Sequence, residues 1–359
     1  MTQPGFRPEL IPDAARIRAY RARQSAASSV CLGVISNPFS RTNARTRIHD
    51  RLLPRFLPDR RNSIDTRTIQ DLDTALRTLL FERGVNVLGL NGGDGTLHLG
   101  VNRLLALAEA CKAKTGENLP LPRLLFLNGG TLNIVSRAAG TKGNPVRTVR
   151  RFVQATRNAT LGRLQVRTMP LLRVEPENGT VRHGFVYGSE VVANALEMYG
   201  LFGEGYVGLG RFLSEFVLGY AVHTRLWQEH GWKLDPPTTA VRVDEIAYAP
   251  YLAAVAATID LSILQGAITA FRVPEGAPGF FVKVLQETQP GKIIRLVPRL
   301  LLNQPHASIH NLCEATELRS CGGYTLDGEV FLDRSSQGRN QSIVVRRSVN
   351  SVQAVRPLG

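Results

Sequence analysis

Short apolar runs alternate with helix-like segments through the first half of the chain. The apolar runs at 30–35, 85–90 and 123–127 are typical of strands and are followed by polar or glycine-rich residues, and 62–68 is a weaker strand candidate. Between them, apolar residues recur with the 3.6-residue period of a helix. One such set is Leu72, Ala75, Leu76, Leu79 and Leu80, and the next is Leu97, Val101, Leu104, Leu105 and Ala108. Alternating strands and helices predict a doubly wound parallel sheet that is covered on both faces.

The pattern changes near residue 160. Beyond it, short β-type runs separated by turn residues dominate, as in 162–175, 183–192, 251–264 and 280–285. This pattern predicts a mostly antiparallel second domain. The segment 199–223 departs from it, because it is apolar, aromatic and spaced by glycines, and its later half favours a helix.

The chain has 359 residues, more than one hydrophobic core usually serves, so we expect two domains. We assign residues 1–28 to a basic N-terminal tail, 29–160 to the α/β domain and 161–345 to the second domain. Residues 346–359 form a C-terminal segment that could return to the first domain. The basic tail either forms a short helix or stays disordered, and its polar composition favours a mobile tail.

Charge and cysteine content narrow the class of protein. The net charge is +15, with arginine well ahead of lysine, which favours a polyanion or an anionic bilayer as partner or merely keeps the protein soluble. The four cysteines show neither CxxC pairing nor metal-ligand spacing, which is typical of reduced thiols in the cytoplasm. No apolar run approaches the roughly 20 residues of a membrane-spanning helix, and the N-terminus lacks the apolar core of a secretory signal.

Three polar loops follow predicted strands: "SNPFSR" at 36–41, "NGGDGT" at 91–96 and "NGGTLN" at 128–133. The carboxyl ends of neighbouring parallel strands lie at one edge of a sheet, so we expect the loops to converge on one crevice. Glycine permits positive φ and lets backbone N–H groups approach a ligand, and N–H groups at the start of a helix bind anions. A tight strand-to-helix turn explains one glycine pair, but two such loops together with Asn-Pro at a third strand end disfavour that explanation. A nucleoside triphosphate fits the crevice.

Asp94 stands among these glycines. An acid beside phosphates repels them unless Mg²⁺ offsets its charge or it takes a proton from an attacking hydroxyl, so Asp94 favours phosphoryl transfer over passive nucleotide binding. The structural alternative is a cap for the helix that begins near Thr96. The loop contains neither the Gly-Lys-Ser/Thr of a P-loop nor the GxGxxG of a dinucleotide fold.

The string "GGDGT" at 92–96 resembles the diacylglycerol kinase catalytic-domain superfamily, which includes bacterial lipid kinases, sphingosine kinases and ceramide kinases. "NPFSR", "NGGTLNIVSRAAG" and "YTLDGEVF" are similar to its other motifs in order and approximate spacing. The resemblance implies an α/β nucleotide-binding domain and an antiparallel β-sandwich lipid-binding domain. It places ATP in the cleft between them.

The same resemblance implies roles for individual residues. Asp94 or Glu329 would deprotonate the lipid hydroxyl. The implied ATP contacts are Asn37, Ser40, Arg41, Thr68 (or Thr66 with a shifted alignment), Gly92, Gly93, Gly95, Thr96, Gly130, Thr131, Asn133 and Asp327. Arg41 replaces a family glycine, and it could reach a phosphate or face solvent.

Two further departures bear on the substrate and the metal. Ile134 stands where bacterial diacylglycerol kinases carry a second acid in the third loop, which favours a ceramide or sphingoid lipid over diacylglycerol. The stretch 275–285 lacks the aspartate of the family's structural Mg²⁺ motif, so we predict no metal ligands there, although Mg²⁺ is expected to accompany ATP.

The sequence thus predicts an ATP- and Mg²⁺-dependent lipid kinase. It would be cytoplasmic and bound peripherally to the inner face of the membrane, with the lipid substrate and an anionic surface as partners and no nucleic acid. A homodimer is one option. Phe202, Tyr206 and Phe212 are candidates for a lipid gate, with core packing as the equal alternative. The rival functions are a kinase of a soluble substrate, similar to NAD kinase, and an inactive nucleotide-binding regulator.

Overall fold

The computed structural model describes residues 5–25, 30–130, 133–156, 164–177, 179–203, 205–263, 268–274, 276–332 and 341–357. The chain divides into two compact units. Unit 1 comprises 1–169 and 351–359, and unit 2 comprises 170–350. Among the helices of the described ranges, none has both the length and the apolar character needed to cross a membrane.

The α-helices are α1 (Ala14–Ser25), α2 (Arg41–Thr46), α3 (Ile48–Arg51), α4 (Leu53–Phe56), α5 (Ile69–Arg77), α6 (Asp94–Thr115), α7 (Ile134–Ala138), α8 (Pro145–Thr156), α9 (Glu190–Tyr199), α10 (Gly205–Val222), α11 (Arg225–His230) and α12 (Pro290–Leu301). The first nine strands are β1 (Leu32–Ser36), β2 (Ser63–Asp65), β3 (Val87–Gly92), β4 (Arg123–Asn128), β5 (Leu164–Pro176), β6 (Arg182–Gly184), β7 (Val186–Gly188), β8 (Val241–Val243) and β9 (Ile246–Tyr248). The others are β10 (Ala253–Ala257), β11 (Leu261–Ile263), β12 (Ile268–Phe271), β13 (Phe280–Leu285), β14 (Ile309–Ala315), β15 (Glu317–Cys321), β16 (Tyr324–Leu326), β17 (Glu329–Phe331) and β18 (Ser342–Pro357).

Unit 1 contains the predicted parallel sheet, with strand order β2-β1-β3-β4. The end of strand β18 joins this sheet, because Ala354 of β18 pairs in parallel with Leu124 of β4. The four predicted strands and the two predicted helical segments are all present. The α/β part of the predicted fold class is therefore confirmed.

Helices cover both faces of this sheet. Val87 of β3 shares a buried core with Leu53 of α4 and Val149 of α8. Leu90 points to the opposite face, since side chains alternate along a strand. There it meets Gly100 of α6, where an added Cβ would lie only 2.9 Å from a Leu90 methyl carbon. Glycine at 100 therefore lets α6 pack closely on the strand that leads into the second loop.

The N-terminal segment differs from its prediction. Residues 14–25 form α1, and both Ile17 and Tyr20 are 0 % exposed. On the outer side, Arg18 donates a hydrogen bond to Glu117 at 3.0 Å. The prediction of a mobile tail is wrong for these residues, because two apolar side chains three residues apart anchor one face of the helix while the arginines stay in solvent.

In unit 2, two antiparallel sheets enclose one core, and β11 and β12 form a separate two-stranded sheet. One sheet has the order β14-β13-β10-β7-β16-β17. In the other, β15 pairs with β18 and β8, β8 with β9, and β5 with β6. Both sheets supply buried side chains to the same cluster, among them Leu172, Val174, Val243, Ala256, Val282, Leu318, Leu326 and Val345. The predicted antiparallel second domain is confirmed.

Helices on the outer side of unit 2 depart from the β pattern. Helix α9 occupies the end of the segment 183–192 that we expected to be β, and α10 begins well before the predicted helical half of 199–223. Helix α12 was not predicted. Its Ile293 and Leu296 are buried against Leu285 of β13, so the outer face of the sheet needs these helices to cover its apolar residues.

Candidate active site

The three predicted loops meet at the carboxyl edge of the parallel sheet in unit 1. The backbone N–H of Asn37 donates to the carbonyl oxygen of Asn91 at 2.9 Å. The Asn37 side-chain amide donates to the Thr96 hydroxyl at 3.0 Å. Between the second and third loops, the N–H of Gly129 donates to the carbonyl oxygen of Gly92 at 3.0 Å. These bonds join all three loops into one surface.

A buried polar network fixes the loops from below. Ser36, Asn43 and Asn91 are each 0 % exposed. The Asn91 amide donates to the Ser36 hydroxyl at 3.0 Å and to Asn43 Oδ1 at 3.3 Å. The Asn43 amide in turn donates to the carbonyl oxygen of Asn37 at 2.8 Å. Neither Asn43 nor Asn91 was predicted as a site residue, although both stand in or beside the predicted loops. Buried polar groups need such partners, so the network specifies one loop arrangement.

The glycines allow the backbones of the second and third loops to approach each other closely. An added Cβ on Gly130 would lie 2.3 Å from the Cα of Gly93, and one on Gly129 would lie 2.8 Å from the backbone nitrogen of Gly92. On Gly93 itself, a Cβ would meet that neighbouring loop only at 3.5 Å, and its φ is −83°. None of these four glycines has a positive φ. The expectation of positive φ is therefore wrong here, and close backbone contact is the reason for glycine.

The start of α6 provides free backbone donors. The helix begins at Asp94, directly after β3 and Gly93. In the described part of the chain, the N–H groups of Gly95 and Thr96 have no hydrogen-bond partner. The first N–H groups of a helix have no partner within it and carry the positive end of its dipole. This edge of unit 1 can therefore bind an anion.

Asp94 connects the second loop to the third. Its Oδ2 accepts a hydrogen bond from the N–H of Ile134 at 3.1 Å, and its Oδ1 accepts one from the N–H of Val135 at 3.1 Å. The carboxylate thus caps the start of α7. We expected, as the structural alternative, that Asp94 caps a helix beginning near Thr96. That expectation is wrong about the helix, because α6 begins at Asp94 itself and Asp94 caps α7.

The third loop is closed by its own asparagine. Asn133 is 7 % exposed and has a left-handed φ of 53°. Its Oδ1 accepts the N–H of Gly130 and its amide donates to the Gly130 carbonyl oxygen, both at 3.0 Å. Thr131, another predicted ATP contact, lies outside the described residues. The side chain of Asn133 therefore shapes the loop, and contact with a nucleotide remains a prediction.

The two threonine candidates lie in different settings. Thr68 caps α5, accepting the N–H of Asp71 at 3.1 Å in a reciprocal capping box, and it is exposed. Thr66 is 8 % exposed, and its N–H donates to the carbonyl oxygen of Ser36 at 2.9 Å. Of the two, Thr66 is the one bonded to the end of β1, where the first loop starts.

The remaining first-loop candidates lie at the start of α2. The Ser40 hydroxyl donates to the carbonyl oxygen of Asn37 at 3.0 Å. Arg41 is exposed and is the first residue of α2. Neither position conflicts with contact to a ligand on the loop surface.

A histidine and a carboxylate at this edge were not predicted. Asp65 ends β2 and pairs with Ser36, so it lies beside the loops. The buried His49 brings its Nε2 to 3.5 Å from the Asp65 carboxylate. Burial raises the pKa of Asp65, although the nearby His49 opposes the shift. The position of Asp65 inside the predicted strand 62–68 was the available signal.

In unit 2, Asp327 and Gly328 form the two-residue turn between β16 and β17. Their φ angles are 53° and 89°, which suits an Asp-Gly type I′ hairpin. Asp327 is 6 % exposed. Its Oδ1 accepts the N–H groups of Phe185 at 2.8 Å and Val186 at 2.9 Å. The Asp327 carboxylate therefore holds the hairpin on the neighbouring strand.

Glu329 has a different environment. It is the first residue of β17 and it is exposed. Within the described ranges, its side chain makes no hydrogen bond or ion pair. Of the two acids in the motif, Asp327 is held in place and Glu329 is available.

The segment 199–223 contains an inner aromatic cluster and an outer apolar face. Phe202 and Phe212 are half-buried, with ring centroids 5.9 Å apart, and the side chain of Tyr206 lies outside the described structure. Among the described side chains of 199–232, the exposed large apolar residues are Leu201, Leu213, Val217, Leu218, Tyr220, Val222 and Trp232. Helix α12 approaches α10 near Tyr220, and its exposed cations are Lys292, Arg295 and Arg299.

Residues 31–164 match the family model of the diacylglycerol kinase catalytic domain. Two solved structures provisionally described as diacylglycerol kinases from Bacillus anthracis str. Sterne are similar to the whole chain at 16% identity. One has a TM-score of 0.57 and covers 91% of this chain and 97% of that one; the other has 0.58, 90% and 96%. A third, described as a diacylglycerol kinase from the same organism, has 14% identity, a TM-score of 0.52 and coverages of 91% and 97%. No curated protein matches.

The predicted resemblance to this superfamily is confirmed by the match over residues 31–164. At such low identity, the solved structures show a shared fold. The matched range contains all three loops of unit 1 and ends before Asp327 and Glu329.

Proposed function

We propose that this chain is a lipid kinase that transfers the γ-phosphate of Mg²⁺–ATP to a hydroxyl group of a membrane lipid. The observation that carries the proposal is the joined loop surface of unit 1, where the N–H groups of Gly95 and Thr96 at the start of α6 have no hydrogen-bond partner among the described residues. The match to a diacylglycerol kinase catalytic domain supports phosphoryl transfer as the reaction class.

Backbone amides would hold the phosphates. The N–H groups of Gly95 and Thr96 are candidates, together with the positive end of the α6 dipole. Donors fixed before the reaction stabilise developing charge without reorganisation. The bonds from Asn37 to Thr96 and from Asp94 to α7 keep the loops in register, which is the scaffold that such donors need.

Mg²⁺ would arrive with ATP as part of the substrate. The described residues contain no group of three or more His, Cys, Asp or Glu side chains that could hold a metal ion. This fits Mg²⁺ bound mainly through phosphates and water, since it usually takes only one or two carboxylates from a protein. When bound, it would neutralise phosphate charge during transfer.

Glu329 is our candidate for the group that accepts the proton of the lipid hydroxyl. Its carboxylate is exposed and has no partner within the described chain, so both of its oxygens are available to accept a proton. Both oxygens of Asp94 already accept backbone N–H groups. We therefore assign Asp94 the role of a positioning residue that holds the third loop against the second.

The acceptor is a lipid with a free hydroxyl, either diacylglycerol or a ceramide or sphingoid lipid. The matched family supports diacylglycerol. Ile134 supports the other two, because an apolar residue replaces the second acid of the bacterial diacylglycerol kinases. In this structure, Ile134 contributes its backbone N–H to Asp94.

The outer face of α10 supports peripheral binding to the inner face of the membrane. Leu213, Val217 and Leu218 are exposed, and Lys292 and Arg295 of the adjacent α12 add positive charge. Apolar side chains at a basic surface are suited to an anionic bilayer interface. The half-buried Phe202 and Phe212 remain our candidates for the lipid gate, together with Tyr206.

Labelled ATP turnover with a panel of acceptors tests the proposal. Vesicles would contain diacylglycerol, ceramide or sphingosine, each with and without Mg²⁺, and soluble NAD would be a separate acceptor. We expect Mg²⁺-dependent transfer to at least one lipid and none to NAD. Transfer to NAD alone would identify a soluble-substrate kinase. ATP binding without transfer to any acceptor would identify a regulator.

A further inference from the structure

Unit 1 has a groove between the end of α4 and the second half of α8. Its volume is about 540 Å³. The residues that line it are Arg55, Phe56, Leu57, Pro58, Arg150, Val153 and Gln154. No part of the proposed kinase site uses these residues.

The floor of the groove is apolar and fixed. Leu57 is 5 % exposed and Val153 is 8 % exposed. Both belong to the core that joins α4 and α8 to the parallel sheet, and Phe56 packs against the same core. The floor is therefore part of the folded scaffold and offers a small apolar surface at the base of an open groove.

The rim is strongly basic, and no acid is among the described residues that line the groove. Arg55 and Arg150 are exposed, and within the described residues neither guanidinium makes a hydrogen bond or an ion pair. The segment 41–61 has seven arginines and two acids, and α8 has three arginines and no acid. The two acids are already paired: Asp50 with Arg47 and Asp59 with Arg61.

The groove lies away from the nucleotide edge. Asn62, a few residues after Pro58, donates a hydrogen bond to the carbonyl oxygen of Leu32 at the amino end of β1. The first loop leaves the carboxyl end of the same strand at Asn37. A five-residue strand is about 16 Å long, so the two sites are at opposite edges of the sheet.

We propose that this groove binds the headgroup of an anionic phospholipid in a bilayer. Arg55 and Arg150 contact the phosphate, because guanidinium groups bind phosphate oxygens through paired hydrogen bonds. Phe56, Leu57 and Val153 receive the adjoining glycerol and first methylene groups. The inference rests on the membrane association proposed above, but it concerns a different surface and does not require catalysis.

The apolar floor distinguishes a lipid from other anions. Inorganic phosphate would use only the arginines and leave the floor exposed to water. A nucleic acid backbone would also use the arginines, but its sugar-phosphate chain has no apolar group of matching size to cover Leu57 and Val153. A phospholipid uses both the charge of the rim and the apolar surface between its arginines.

Co-sedimentation of the full chain with phosphatidylcholine vesicles, with and without phosphatidylglycerol, tests the proposal. The test variant is Arg55→Gln/Arg150→Gln. The matched control is Arg242→Gln/Arg272→Gln, which removes the same charge from exposed arginines of unit 2. We expect the test variant to lose about tenfold or more in binding to anionic vesicles, and clearly more than the control.

A second variant protects the result from folding artefacts. Gln154 is exposed at the groove, so Gln154→Glu should weaken vesicle binding and Gln154→Lys should strengthen it, with unchanged thermal unfolding. Equal losses in the two double variants would overturn the proposal. The proposal would also be overturned if inorganic phosphate displaced the protein completely from the vesicles. The same holds if Arg55→Gln/Arg150→Gln lost binding to RNA but kept full binding to vesicles. Vesicle binding through the groove by a protein that phosphorylates no lipid would refute only the kinase proposal.

Discussion

Selected charged side chains of the two units differ in their burial and in their hydrogen-bond partners. In unit 1, Asp94 has both oxygens bonded to backbone N–H groups, and the buried Arg103 and Asp73 form a two-point ion pair. In unit 2, Glu329 is exposed without a partner in the described structure, and Lys283 is buried beside the neutral amide of Asn303. Among these residues, those of unit 1 stabilise the scaffold, whereas in unit 2 Glu329 is available for chemistry and the charge of Lys283 is costly to bury.

This difference separates residues that hold the site from residues that can act in it. A carboxylate that accepts hydrogen bonds from two backbone N–H groups positions the backbone around it. Its removal should therefore disturb the local structure before it affects the chemistry. An exposed carboxylate without a partner contributes little to folding, so its presence in a motif points to chemistry. The four predictions below test this division, from the largest expected effect to the smallest.

The buried pair of unit 1 gives the largest expected effect on folding. Arg103 Nε donates to Asp73 at 2.7 Å and its NH2 group to the other oxygen at 2.5 Å, and the side chains are 1 % and 2 % exposed. Asp73→Asn leaves a buried guanidinium without its counter-charge, which should lower the free energy of unfolding by about 3–5 kcal/mol. Urea unfolding of the variant measures this loss.

Asp50→Asn is the matched control for that variant. Asp50 pairs with Arg47 on the surface, where the side chains are 49% and 59% exposed. Such pairs contribute about 0.5 kcal/mol or less. Similar small losses in both variants would show that the Arg103–Asp73 pair does not stabilise the scaffold.

Glu329→Gln tests the available charge of unit 2. We expect kcat to fall by roughly 10²-fold or more, with ATP affinity and thermal stability unchanged, because the variant removes a proton acceptor without removing a structural bond. Asp327→Asn is the control, since that carboxylate accepts two backbone N–H groups and its loss should lower stability. Full turnover by Glu329→Gln would remove Glu329 from the proposed mechanism.

The sequence predicted the parallel sheet and its loops because strong local signals coincide there. Strands β1, β3 and β4 are short apolar runs, β1 is followed by Asn37, and β3 and β4 end in Gly92 and Asn128, while α6 has a regular apolar face. The carboxyl-edge rule then placed three loops together without any knowledge of contacts. The family motifs also drew attention to Asp94 and Glu329.

The remaining features depend on contacts between distant residues. Nothing local to Asp94 shows that its oxygens bond to Ile134 and Val135, forty positions later. The many arginines of α1 make the segment polar on average, so the three-residue spacing of Ile17 and Tyr20 was too weak a signal to predict a packed helix. In α12, Pro298 interrupts a helical pattern whose buried positions include Ile293 and Leu296. Tertiary packing decided each of these cases.

Asp94→Asn tests whether the acid of unit 1 is structural. An asparagine can accept one of the two N–H groups, but its amide would face the other, so we expect a loss of about 1–2 kcal/mol in unfolding free energy. ATP affinity should fall by roughly tenfold as the third loop moves. At saturating ATP, turnover should persist above that of Glu329→Gln. A 10²-fold loss of kcat with unchanged stability would instead make Asp94 the proton acceptor.

Lys283→Met tests the costly charge of unit 2 and has the smallest expected effect. Lys283 is 8 % exposed on β13, and burial lowers its pKa from the ordinary 10.5 to about 8. The folded state therefore prefers neutral Lys283, and the cost of the charge is present in full below pH 8 and absent above 10.5. At pH 7, we expect the methionine variant to be more stable by about 1 kcal/mol, even though it loses the bond to Asn303.

The pH dependence separates this explanation from a simple gain in packing. The advantage of Lys283→Met should shrink as the pH rises from 8 to 10.5, because the wild-type lysine then becomes neutral in the folded state before it does so in the unfolded chain. Lys292→Met on α12 is the control, since Lys292 is exposed and should show no such trend. Urea unfolding of both variants across this range provides the measurement. An advantage of Lys283→Met that does not change with pH would mean that the charge of Lys283 costs nothing, and that unit 2 accommodates its buried lysine as well as unit 1 does its buried arginine.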